Sequence, residues 1–153
     1  MSPLHLHYSP WSLPRHFTWS SVSVADQGWC HNSAIVSAME AAARRIEVAT
    51  NGSVSVDGRS LGDCSPVPCH HDQGHSPAQA WHHVRTHGLH PDTCQCGAAC
   101  EVLRMMPGYR VGRHGRRMED IMYEVMTQGP ALAIMEVTRE LFSYREGVYQ
   151  MTG

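Results

Sequence analysis

Apolar residues recur at three- and four-residue steps from Ile35 through Met39, Ala42 and Ala43 to Ile46, the spacing of one helix face. Asn32 stands just before this run, where a side-chain oxygen caps free helix N–H groups, and Asn51-Gly52 supplies the stop. A second helix is punctuated at both ends. Ser76 is its cap, Pro77 suits the first turn, Gly88 closes it in a left-handed conformation, and Trp81 and Val84 face inward. Met118, Ile121, Met122, Val125 and Met126 mark a third helix, halted by Gly129-Pro130. Beyond it "ALAIMEVT" (131–138) and "GVYQM" (147–151) read as strands, with a turn around "SYREG". Residues 53–75 carry Gly, Ser, Pro and two cysteines and read as loop, as does the connection after Gly88. The first 25 residues, rich in Pro, Ser and aromatics, hold no period and read as extended chain. There is no internal repeat and no low-complexity tract.

Composition narrows the class. A chain of 153 residues that is 42% hydrophobic and 17% charged is globular in character and long enough for one core. Its formal charge of −2 offers no electrostatic reason to expect nucleic acid or an anionic membrane as partner. No apolar run approaches the roughly 18 residues that span a bilayer. The N-terminus "MSPLHLHYSPWSLPRHFTW" lacks the continuous apolar stretch of a signal peptide, so the chain reads as cytosolic or as part of a secreted precursor. The six cysteines, Cys30, Cys64, Cys69, Cys94, Cys96 and Cys100, favour the second reading. Such density is the mark of a disulfide framework in an oxidising compartment, and six cysteines allow 15 complete pairings. Asn51-Gly52-Ser53 is a glycosylation acceptor sequence, which agrees. A zinc-binding module is the rival from another class. Cys69, His70, His71, His75, His83 and His87 are ligand types, yet no Cys-x-x-Cys pair occurs, and no metal site is assigned.

The stretch "DQGWCHNSA" (26–34) resembles the papain-like cysteine peptidases, whose motif there is Asp-Gln-Gly-x-Cys-Gly-Ser-Cys-Trp. Asp26, Gln27, Gly28 and Cys30 match. His31 and Asn32 replace Gly-Ser, Ser33 stands at the nucleophile, and Ala34 replaces the Trp. "SPAQAWHHVRTHGL" is similar to the family's next helix, and "MEDIMYEVMTQGPALAIMEV…LFSYREGVY" to the Gly-Pro strand and Tyr-x-x-Gly-Val-Tyr segment of its cathepsin B type. The similarity runs in order from about Leu13 to Gln150. With Ser at the nucleophile it looks most like the tubulointerstitial nephritis antigen branch, secreted matrix glycoproteins with a catalytically dead cathepsin B-like domain.

The resemblance implies roles for particular residues. Gln27 falls on the oxyanion-hole Gln and Ser33 on the thiolate nucleophile. A hydroxyl is far less acidic than a thiol and needs an aligned general base. The family supplies that His, and an Asn to orient it, from beyond the Tyr-x-x-Gly-Val-Tyr segment, and this chain stops at Gly153, before either. Gly74 is the retained member of the family's groove Gly-Gly, although His70, His71 and Gln73 beside it are bulky. Cys30 pairs with Cys69 in the family's pattern, and Cys64 with one of Cys94, Cys96 or Cys100.

These readings give an α+β, papain-like fold with a helical subdomain and an incomplete β-barrel subdomain. Residues 1–13 are expected as an extended N-terminal segment, and 14–153 as a partial papain-like domain truncated before the His/Asn region. The expected function is that of a catalytically inactive, extracellular homologue without a cofactor, which binds matrix or other secreted proteins and neither nucleic acid nor membrane. A cysteine-type endopeptidase represented by a partial sequence is the first alternative, and the Cys/His zinc-binding module the second.

Overall fold

The computed structural model describes residues 27–65, 67, 69, 74–94, 101–111 and 118–145. The readings for the first 25 residues, for "GVYQM" and for Cys96 and Cys100 lie outside these.

Helix α1 (Ser33–Ala49) forms where the apolar period predicts it. Ile35, Ala38, Met39, Ala41, Ala42 and Ala43 make its buried face. Four alanines keep that face shallow, so neighbouring backbones come close. The opposite side is laced by Arg44, which reaches Glu47 at 2.6 Å and Glu40 at 3.7 Å. At the C-terminus Asn51 takes a left-handed φ of 52°, and Gly52 N–H bonds back to the Glu47 carbonyl while Asn51 N–H bonds to Val48. That double return satisfies carbonyls the helix would otherwise leave open. The N-terminal expectation fails in one respect. Asn32 is the cap residue by position, but its side chain makes no capping bond. Its ψ of 19° lies outside the extended range that swings a cap side chain over the first turn, and the side chain is buried instead.

Residues 53–75 are not all loop. Val56–Leu61 form strand β1, antiparallel to β2 (Leu89–Pro91), with Val56 opposite Pro91, Leu61 opposite Leu89 and an irregularity between. Gly58 lies against α1, where a Cβ would sit 2.9 Å from Cδ at the flexible end of Glu40. Leu103 adds a bridge to Leu89. Helix α2 (Pro77–His87) between the strands is capped by Ser76, and Gln79 returns the bond to the Ser76 N–H. Gly88 ends it at φ 71°, where a Cβ would lie 2.4 Å from Val102. Val84 is fully buried; Trp81 is half-buried and donates its indole N–H to the Met106 carbonyl. Val56, Leu61, Ala80, Val84 and Leu89 thus close over Ile35 and Met39 as one core.

The following half is built differently. Helix α3 (Met118–Gln128) ends at Gly129-Pro130 as expected, yet none of its residues is buried. Residues 131–138 pair with no strand among the described residues, so the expected strand is absent; extended chain is a strand only when a neighbour accepts its ladder. Arg139–Ser143 form a 3₁₀ turn, earlier than the turn read at "SYREG", and Phe142 is 87% exposed on it. Arg45 of α1 ties this half to the core. Its guanidinium donates to Glu124 of α3 at 2.7 Å and to the Pro130 carbonyl at 2.8 Å, and Tyr109 also donates to Glu124. Burial works against the Arg45 charge, but the bonds to Tyr109 and Glu124 outweigh it and raise the pKa. Among the described residues no helix is long and apolar enough to cross a membrane.

Stability therefore resides in the first half. Ile35→Ala is expected to destabilise the chain by about 2–5 kcal/mol in urea unfolding, whereas Phe142→Ser should change it by less than about 0.5 kcal/mol. Comparable effects of the two would show that the exposed half is part of the cooperative unit.

Candidate functional site

The start of α1 is where the chemistry gathers. Gly28 turns the approach with a φ of 60°, Trp29 stands 97% exposed, and Asn32 N–H bonds to the Cys30 carbonyl at 2.8 Å. Cys30 is joined to Cys69 with Cα atoms 4.9 Å apart, the pairing that the resemblance implies. This bond draws the segment after β1 across the entry to the helix. Gly74 follows it, and a Cβ at that position would touch the His31 carbonyl oxygen at 3.5 Å. The fold thereby sets Gly74 against the segment that leads to Ser33. Gln27 lies exposed at the far end of the same turn.

Ser33 is the first residue of α1 and is exposed. The Ile35 and Val36 N–H groups both bond to the Asn32 carbonyl, while among the described residues the N–H groups of Ser33 and Ala34 have no acceptor. No acidic residue occupies the first turn. Free N–H groups at a helix start carry partial positive charge, and the arrangement suits a carbonyl oxygen or carboxylate. A nucleophile needs more. Among the described residues the Ser33 hydroxyl has no hydrogen-bond partner, so nothing there removes its proton. Cys30 is no substitute nucleophile, because its sulfur is held in the disulfide.

A second polar cluster was not legible in the sequence. Asp63, in the turn after β1, accepts from the Ser65 hydroxyl at 2.6 Å and the Ser65 N–H at 3.0 Å, and from His87 Nδ1 on α2 at 2.5 Å. The Ser65 bond first, and then the His87 bond, hold the Asp63 carboxyl well below the usual carboxylate range. Ser, His and Asp meet here without forming a catalytic relay. Both oxygens address the same imidazole nitrogen, with Ser65 Oγ 3.3 Å from Nδ1, whereas a relay needs nucleophile and carboxylate on opposite nitrogens. Asp63 and His87 lie 24 residues apart, and only the β1–α2 packing joins them. The His83 ring lies 4.3 Å from that of His87 and 6.3 Å from that of His75. Among the described residues no group of three or more His, Cys, Asp or Glu is placed to hold a metal ion. Of the zinc candidates, Cys69 is consumed by the disulfide, and His70 and His71 lie outside the described residues. Cys64 and Cys94 are also disulfide-bonded, and their pairing falls outside that set too.

The family described as papain family cysteine protease matches residues 13–153, and the chain belongs to that family. It is 30% identical over 114 residues to a tubulointerstitial nephritis antigen-like protein of Mus musculus and 26% identical over 113 residues to the one of Homo sapiens. Each match covers 71% of this chain and 22% of the relative, so the chain spans about a fifth of their length.

Two outcomes are expected at these clusters. The depressed carboxyl of Asp63 stabilises the fold wherever the unfolded Asp would be ionised, above about pH 4, and loses that contribution as the pH falls toward its folded value. Asp63→Asn should therefore lower the urea midpoint slightly at pH 7 and converge with the wild type in strong acid; a constant difference would mean that the charge is irrelevant. At the helix start, Ser33→Cys should be alkylated by iodoacetamide, since the helix favours a thiolate, yet show no turnover of fluorogenic peptides. Turnover abolished by a cysteine-peptidase inhibitor would mean that one of this chain's histidines reaches position 33.

Proposed function

We propose that the chain is a retired peptidase scaffold that acts outside the cell by binding matrix or other secreted proteins. The observation that carries this is Ser33: it stands at the family's nucleophile position, exposed and without a base among the described residues. In this reading Gln27 keeps the oxyanion-hole position and Gly74 the groove position, a polar lining without a nucleophile. The relatives named tubulointerstitial nephritis antigen-like support the same branch of the family. Half-cystines at Cys30, Cys64, Cys69 and Cys94 fit an oxidising compartment. Asn51 is exposed in its left-handed turn, open to a glycan. Residues 14–153 then form a partial papain-like domain. Exposed Ile134, Val137 and Phe142 belong to its incomplete barrel half, whose apolar side lacks cover among the described residues.

The test uses the tagged product of the native transcript in cultured cells. It is expected in the medium or matrix fraction, with oxidised cysteines, a glycan on Asn51 and no peptide turnover. Cytosolic protein with reduced thiols would defeat the extracellular part, and turnover at a rate sensitive to Ser33→Ala would defeat the inactive part.

A further inference from the structure

The turn that ends α1 holds a chemically reactive pair. Asn51 and Gly52 are adjacent and both exposed. A glycine nitrogen attacks the side-chain amide of a preceding asparagine more readily than other residues do, because no Cβ hinders its approach. The fold works against that reaction. Gly52 N–H donates to the Glu47 carbonyl at 2.8 Å and Asn51 N–H to the Val48 carbonyl at 3.1 Å, with both residues left-handed at φ 75° and 52°. Thr50 tightens the same turn. Its hydroxyl donates to the Ile46 carbonyl at 2.8 Å and its oxygen accepts from the Val54 N–H at 3.3 Å. To attack, the Gly52 nitrogen must leave Glu47, lose its proton and swing toward the Asn51 side chain. Asn32, the other asparagine of the chain, is buried and precedes Ser33, whose Cβ hinders the same approach.

We propose that Asn51 is a deamidation site controlled by this turn: it converts when the end of α1 opens, and the product keeps the turn from closing as before. The Gly52 nitrogen bonds to Cγ of Asn51, and the side-chain nitrogen leaves as ammonia, taking the proton that Gly52 gives up. The resulting five-membered imide then adds water at one of its two carbonyls and opens to aspartate or isoaspartate at position 51. Water is the one co-reactant, and nothing is oxidised or reduced. Either product weakens the turn. Aspartate places a negative charge at the C-terminus of α1, four residues after Glu47, where the helix dipole favours cations. Isoaspartate adds a methylene to the backbone and spoils the bond between Gly52 and Glu47. Val48 lies in this turn, and a Cβ on Gly129 would sit 3.4 Å from its side chain, so the loosening reaches the chain that follows α3. Conversion also destroys the Asn51-Gly52-Ser53 acceptor, so deamidation and a glycan exclude each other at this residue. The reaction depends on the turn alone and not on where the chain resides.

The experiment incubates the folded, unglycosylated 153-residue protein in mildly alkaline buffer, with and without guanidinium chloride, and follows amide-to-acid conversion by peptide mass spectrometry. Asn51 should convert roughly tenfold faster in guanidinium chloride than in the folded protein, because folding limits the reaction to the times when the turn is open. Thr50→Ala should raise the folded-state rate several-fold and leave the rate in guanidinium chloride unchanged. The converted protein, separated by its extra negative charge, should melt about 2–4 °C below the unconverted form. Equal rates with and without denaturant overturn the proposal, as does Asn51 that stays intact in guanidinium chloride. An unchanged rate in folded Thr50→Ala, or equal melting of the two forms, overturns it as well. If Thr50→Ala does not fold, the two wild-type rates and the melting comparison decide.

Discussion

The burial of the α1 alanine face is the constraint on which the other features depend. Ala38, Ala41, Ala42 and Ala43 contribute little area themselves, but they let β1 and α2 settle on the helix. Ile35, Met39, Val56, Leu61, Val84 and Leu89 then become fully enclosed. Each such side chain stabilises by about 1.5–3 kcal/mol relative to exposure. Small side chains decide where the large ones meet.

Once α1 is fixed, its two ends acquire different tasks. The N-terminal turn presents Ser33 with unpaired N–H groups behind it, held in place by the Cys30–Cys69 bridge. The C-terminal part presents Arg45, whose side chain gathers Glu124, Tyr109 and the Pro130 carbonyl. This polar clamp orients α3, whose apolar residues Met122, Val125 and Met126 are only half-buried. Gly129 suits the same junction. At φ 99° it turns the chain tightly against Arg45 and Val48, in a conformation that favours glycine.

Within the papain family the departure at Ser33 is a single atom, and its chemical meaning comes from what surrounds it. Helix dipole and free N–H groups remain among the described residues and favour negative charge at the helix start. The proton-removing half has no counterpart among the described residues, and a hydroxyl needs it more than a thiol does. Disulfide chemistry, meanwhile, occupies Cys30, Cys64, Cys69 and Cys94. Trp29 and Gln27 stand exposed around the helix start.

The extents of α1, α2 and α3 were legible because helix bonds join residues four apart, so caps, stops and apolar period all lie within the segment itself. The family motif was legible for a related reason, since Asp26 to Ser33 is one continuous stretch. Strands depend on distant partners, and there local reading failed in both directions. Gly58 and Ser60 made β1 look like loop, although Leu89–Pro91 was available to pair with it. "ALAIMEVT" has the composition of a strand, yet no described strand lies beside it. Asn32 had the right position for a cap and the wrong backbone angle, which only packing sets. The contacts Asp63–His87 and Cys64–His90 span 24 and 26 residues and exist because the β1 turn folds onto α2 and β2. By itself the sequence determined which segments are helical and which family they belong to. Tertiary structure decided which extended segments became strands and which polar side chains met, because those bonds form only between segments that packing has first brought together.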